Sequence, residues 1–312
     1  MTKELTLEIA EQFLQNPKSI DLSHFTSITD DAAKTLSKHN GKLFLNGITS
    51  LSDIATEFLS HHQGYLNLNG LTILSDFAAD SFSMHRGELS FNGLTSISDA
   101  AALSLSKHHY ELHLFGLVSI SDVAAEYLLE RKEQIYIRSL EEQKLLSVGI
   151  AKLIVKNKIP LRFFNFYKLA DEAVKILLKI KDKLELNTVT EISDETAKIL
   201  SKYQGRLYLN GVTSLSDAAA ESLSNFKERL HLNGLTSLSD AAAESLSKFK
   251  YPLYLDGLTS LTDAAAEFLS KKEKSLSLKG LTILSDTAAR ILLTHPKLEV
   301  KEEIRNKYIK TL

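Results

Sequence analysis

The feature that most constrains this 312-residue chain is its self-similarity. The phrases LYLNGVTSLSDAAAESLS, LHLNGLTSLSDAAAESLS and LYLDGLTSLTDAAAEFLS begin at Leu207, Leu230 and Leu253, a spacing of 23. The same frame places coils at Ile20, Leu43, Leu66, Leu89, Leu112 and Ile135, and again at Leu161, Leu184, Leu207, Leu230, Leu253 and Leu276, with a partial coil from Leu298. The step from Ile135 to Leu161 is 26, so the sixth coil carries three extra residues; the step from Leu276 to Leu298 is 22. Repeats of this length stack as a solenoid, each unit packing only on its neighbours. That is how 312 residues avoid the limit on one compact core.

Within a coil, L-x-L alternates with the strand period. Asn-Gly then marks a turn, two further leucines point inward, and Ser-Asp opens a short alanine-rich helix. Ala242 and Leu246, four apart, share one helix face. Strands stacked at a fixed period run parallel in one sheet. The expectation is an α/β fold: twelve coils over residues 20–297, a helical cap over 1–19, a strand and charged cap over 298–312, all in a single domain.

The pattern L-x-L-x-G-L-x-x-[LI]-[ST]-D-x-A-A-x-x-L resembles leucine-rich repeats over residues 20–300. It is most similar to tandem arrays in bacterial proteins, and in pattern to the cysteine-containing subclass. The resemblance implies a right-handed horseshoe with a concave parallel sheet and convex helices, and a protein-binding or scaffold function. The residue after the turn glycine (Ile48, Leu71, Leu94, Leu235) is aliphatic, so the family's Asn or Cys ladder is not expected.

Composition narrows the function classes. A net charge of −2 gives no general attraction to nucleic acid or anionic lipid. The absence of cysteine excludes disulfides and thiolate metal sites. The charged N-terminal stretch does not read as a signal peptide, and no apolar run reaches membrane-spanning length. A cytoplasmic location follows as an expectation, with no membrane or nucleic-acid partner.

Three rows of repeated polar residues look at first like chemistry. Asp recurs in every coil but the sixth, from Asp30 to Asp286. A calcium or proton-transfer row is one reading; the favoured one is structural, a carboxylate at each helix N-terminus. His39, His62, His85 and His108 also recur at 23, and invite a metal ladder. Tyr203, Phe226 and Phe249 fill the same place later, so it reads as a packing position and no metal or cofactor is expected. The strand-end asparagines (Asn46, Asn69, Asn92, Asn187, Asn210, Asn233) read as turn formers bonding their own backbone, with a second use as contacts on the sheet.

Strand alternation exposes the residue between the two leucines and the one two further on. Around the fifth to seventh coils these positions become His113, Phe115, Tyr136, Arg138, Arg162 and Phe164. This stretch coincides with the insertion, the missing Asp and the lost Asn-Gly turns. Aromatics and Arg dominate interface hot spots, so these six are the candidate partner-binding residues; drift or a bend of the array is the competing reading. No G-x-S-x-G, phosphate loop or H-E-x-x-H is present, so an enzyme is not expected. The function expected is protein binding through the sheet face, the alternatives being a homo-oligomeric assembly subunit or a carbohydrate-binding module.

Overall fold

A computed structural model of the chain describes residues 3–138, 140, 142–161 and 164–309. It divides into two compact units, one of residues 1–143 and 152–163, the other of residues 144–151 and 164–312. In the first unit, strands Leu43–Phe44, Leu66–Asn67, Leu89–Ser90, Leu112–His113 and Ile135–Tyr136 pair in sequence order, all parallel. Each residue lies opposite the one 23 later, as in Leu43 with Leu66. In the second unit, six strands from Lys183–Glu185 to Leu298–Glu299 do the same, and the last step, Leu276 to Leu298, is 22. Between strands the chain returns through helices such as Asp99–Ser106 and Asp240–Ser247. Each unit is thus a right-handed α/β solenoid with an open parallel sheet and helices on one side of it.

The core lies between sheet and helices. In a typical coil Leu43, Leu45, Ile48, Ala55 and Leu59 are all fully buried. Paired alanines such as Ala101 and Ala102, both 0% exposed, face the neighbouring coil's helix. Strands sit only about 4.8 Å apart, whereas helices ordinarily pack at about 8–10 Å. Small side chains let successive helices approach without crowding. The turn glycine answers to the same close approach: a Cβ on Gly93 would lie 2.1 Å from the Asn69 carbonyl oxygen of the preceding coil.

The repeated polar residues join coil to coil. The N-cap Ser or Thr of most helices accepts the N–H three residues on, as Ser98 does from Ala101 at 2.9 Å. The same hydroxyl donates to the Asp of the preceding coil: Ser98 to Asp76 at 2.5 Å, Ser193 to Asp171 at 2.8 Å. The asparagines also form a ladder, contrary to the expectation that none exists. Asn69 Oδ1 accepts the Asn92 N–H, Asn92 the Phe115 N–H, and Asn210 the Asn233 N–H, each 23 residues ahead. The acceptor sits just before the turn glycine, not after it, and its partner is the next coil rather than its own backbone.

Two coils depart from expectation. At the first, residues Leu22–His24 form a 3-10 turn where a strand from Ile20 was expected, because Asp21 caps the N–H of Ser23. At the seventh, no strand forms at Leu161 among the described residues. The three extra residues lie upstream: Ile135 keeps the 23-residue register with Leu112, while Leu145 pairs with Lys168, three later than the frame from Ser27 predicts.

Candidate functional site

The sheet faces away from the helices carry the aromatic residues. In the first unit His113 stacks on Tyr136, with ring centroids 4.4 Å apart and planes at 17°. They are neighbours because residues 23 apart face each other across the ladder. Phe115 meets both edge-on, at 5.6 Å from His113 and 6.2 Å from Tyr136. Phe115 remains 41% exposed, and Arg138 is also exposed at the edge of this group. Offset and edge-on ring pairs are each worth about 0.5–1.5 kcal/mol beyond burial, so the three rings hold one another in place.

Arg162 and Phe164 complete the six expected residues. Arg162 lies outside the described residues. Phe164 was expected on the outer face but is 2% exposed. It stacks on Phe166 at 5.0 Å, and both backbone carbonyls accept the Thr188 hydroxyl. Phe164 stands in the ladder position where Asn187 follows 23 residues later. A phenyl ring has no acceptor to offer the next coil, and turning it inward gains apolar burial.

The alternation reaches one residue further back than the sequence reading took it. The residue before the first strand leucine also lies on the outer face, since it is two before the exposed one. This third row contains Glu88, Glu111 and Gln134 in the first unit, and Lys183, Arg206 and Arg229 in the second. Glu88 Oε1 lies 2.7 Å from His113 Nε2, and Glu111 Oε2 3.9 Å from it. Neither carboxylate is aligned for a hydrogen bond to that nitrogen, which is shielded from solvent. Partial burial, together with the Glu111 and Glu88 charges, pushes the Tyr136 hydroxyl above its ordinary pKa.

A second aromatic stack was missed. In the second unit Tyr208, His231 and Tyr254 lie face to face, with centroids 4.4 and 4.2 Å apart. Burial first, and the Arg229 charge second, hold the His231 ring below its ordinary pKa. These residues hold the exposed strand position of the same frame, in coils that otherwise repeat one another closely.

The histidine row is a packing column. His39, His62, His85 and His108 stack at 6.0, 5.7 and 6.2 Å. His62, His85 and His108 are buried, and burial is the main cause of their lowered pKa, to about 4 for His62 and about 3 for His108. The next place in the column is taken by Arg131, whose guanidinium donates to the carbonyls of Leu105, His108 and Tyr110. In the second unit Phe226 and Phe249 stack in the same way, and Lys272 closes on the Phe249 carbonyl.

Register, inward leucines and side-chain ladders together define a right-handed α/β solenoid, bearing aromatic stacks on its sheet faces. No protein-family model and no curated protein matches the chain. Among solved structures it is similar to the Rad7 and Elc1 complex from yeast, at 16% identity over 96% of this chain and 85% of that one, with a TM-score of 0.32. It is also similar to an internalin (inlF) from Listeria monocytogenes, at 14% identity over 94% and 93%, with a TM-score of 0.35. Likeness at this level adds nothing to the fold described above and selects no partner. No helix among the described residues is long and apolar enough to cross a membrane.

Proposed function

We propose that this chain is a protein-binding module, not an enzyme, and that it engages its partner through the outer sheet face around His113, Phe115, Tyr136 and Arg138. The observation that carries the reading is Phe115: a large ring held edge-on by the His113–Tyr136 stack and still 41% exposed. A rigid aromatic loses little side-chain entropy on binding, and Arg138 beside it supplies a charged donor at the rim. A cytoplasmic location and a place among bacterial tandem arrays belong to the same reading, the second resting on the N-G-L-T-S-L-S-D phrase.

Affinity capture from native cells with wild-type protein and with a Phe115→Ala, Tyr136→Ala, Arg138→Ala variant tests it. Both changed rings are on the surface, so the fold is expected to persist. A protein retained by the wild type and lost with the variant is the expected result. An unchanged set of captured proteins would sink the assignment to this face.

A further inference from the structure

We propose that Glu88, Glu111 and His113 form a surface site for one divalent transition-metal ion of the zinc class. The three residues come from adjoining coils of the first unit. Glu88 and Glu111 hold the same position, 23 apart, just before strands Leu89–Ser90 and Leu112–His113. Their backbones are fixed in the ladder: the Glu88 carbonyl accepts the Leu66 N–H at 2.9 Å and the Glu111 carbonyl that of Leu89 at 3.0 Å. His113 follows Glu111 by two and therefore shares its face. One donor atom from each residue lies within 4.8 Å of the other two, the only such set of three among the described residues.

The donor chemistry suits a borderline cation. One imidazole nitrogen and two carboxylate oxygens make a mixed set of the sort zinc accepts, with a fourth position left to water. With bonds of about 2.0–2.2 Å, tetrahedral ligands sit roughly 3.3 Å from one another. The measured Nε2-to-oxygen separations, 2.7 and 3.9 Å, fall on either side of that value. Both nitrogen-to-oxygen separations come within about 0.6 Å of that value, and the two carboxylate oxygens, within 4.8 Å of each other, would draw together on the ion. The protein already supplies the orientation of the ring. Tyr136 stacks on one face of His113 and Phe115 meets it edge-on, so Nε2 is held toward the carboxylates. That nitrogen is shielded from solvent yet has no aligned hydrogen bond, although a carboxylate oxygen is 2.7 Å away. A ring nitrogen beside two carboxylates and aligned with neither is what a bound cation would satisfy.

The histidine column shows by contrast what a metal site requires. Its rings lie face to face at about 6 Å, so their in-plane lone pairs run side by side and never converge. The Glu88–Glu111–His113 group is separate from partner binding in its test, since zinc itself is the probe.

The experiment is calorimetric titration of the full chain with zinc chloride at pH 7.5, beside cobalt(II) absorption as an optical report of ligation. One equivalent of zinc is expected to bind, and a visible cobalt band to appear. His113→Ala and, separately, Glu88→Gln should each weaken zinc binding by roughly tenfold or more and remove the band, as losing even an outer-shell partner costs about 10–100-fold. Glu88→Gln keeps the shape of the side chain and leaves the ring stack intact, so it stands as a test even if His113→Ala disturbs its neighbours. A variant lacking the exposed His24, His61 and His109 should bind as the wild type does. No binding by wild type, or binding that survives both ligand substitutions, overturns the proposal. The cluster would then be a contact among the three side chains that holds no ion.

Discussion

Asn92 shows how a single side chain can belong to a coil other than its own. Its Oδ1 accepts the Phe115 N–H at 3.0 Å, while its amide donates to Ser90 at 3.1 Å and its own N–H goes to Asn69 at 2.7 Å. An Asn92→Ala change leaves the Phe115 N–H to water at an exposed strand end and costs about 0.5–1.5 kcal/mol, the net worth of the lost bond. An Asn92→Asp change should cost far less, because Asp256 does the same work for Lys279 with a 3.0 Å bond. Urea unfolding of the two variants measures the difference; equal losses would mean the amide donor, not the acceptor, is what the coil needs. The ladder was not legible from one coil read alone. Asn before Gly has a sufficient local explanation as a turn, and the partner appears only when residues 23 apart are set side by side. Glu88 and Glu111 lie one residue outside the L-x-L phrase; their nearness to His113 is legible in the sequence, while their place on its strand face needs residues 23 apart set side by side.

Elements were the most readable level. Inward leucines, the Ser-Asp helix start and the 22-residue final step all stand where the periodicity put them. Reading failed where two local rules were broken at once. At the seventh coil, Phe164 and Asn165 replace Asn-Gly, and Phe164 turns inward to stack on Phe166. The helix joints explain a second irregularity. In most other coils the Asp is bonded by the next coil's N-cap Ser or Thr, as Asp217 is by Ser239 at 2.5 Å. Val148 stands where the sixth coil would have its Asp, and the following cap is Ala170, which makes no side-chain cap bond. Acceptor and donor were lost together. Ala170→Ser should therefore stabilise the chain by about 1 kcal/mol through the N-cap alone. Adding Val148→Asp should yield a further gain of about 1 kcal/mol that Val148→Asp does not give by itself. A double-mutant cycle in thermal unfolding reads the coupling; strict additivity would show that Asp and Ser do not act as a pair.

Across the whole molecule, the two units carry the same column in different chemistry. In the first it is His39, His62, His85 and His108, closed by Arg131; in the second it is Tyr203, Phe226, Phe249 and Lys272. The aromatic version does not take up protons in mild acid, whereas the imidazole version must stay neutral to remain buried. Burial holds His62 at about 4 and His108 at about 3, the latter also opposed by the Arg131 charge. An unfolded histidine takes a proton below about 6.5, and these folded ones do not until much lower. Their contribution to stability is thus intact above pH 6.5 and falls as the pH drops from there toward 4. At pH 4.5 the loss is about 2–3 kcal/mol for each of His62 and His108. In the second unit His231 shares this tendency but sits half-exposed on the sheet face, and the buried His295, 23 residues after Lys272, lies in the last coil, beyond helix Asp263–Ser270. Nearest-neighbour stacking lets one stretch of a solenoid loosen while another holds. Hydrogen exchange at pH 7 and 4.5, after correction for the intrinsic rate, should therefore show protection falling in helices Asp53–Ser60 to Asp99–Ser106 while helices Asp217–Ser224 to Asp263–Ser270 keep theirs. Replacing His62 and His108 by Phe, the residue at Phe226 and Phe249, should remove most of that acid sensitivity; equal loss of protection in both units would refute the histidine column as its source.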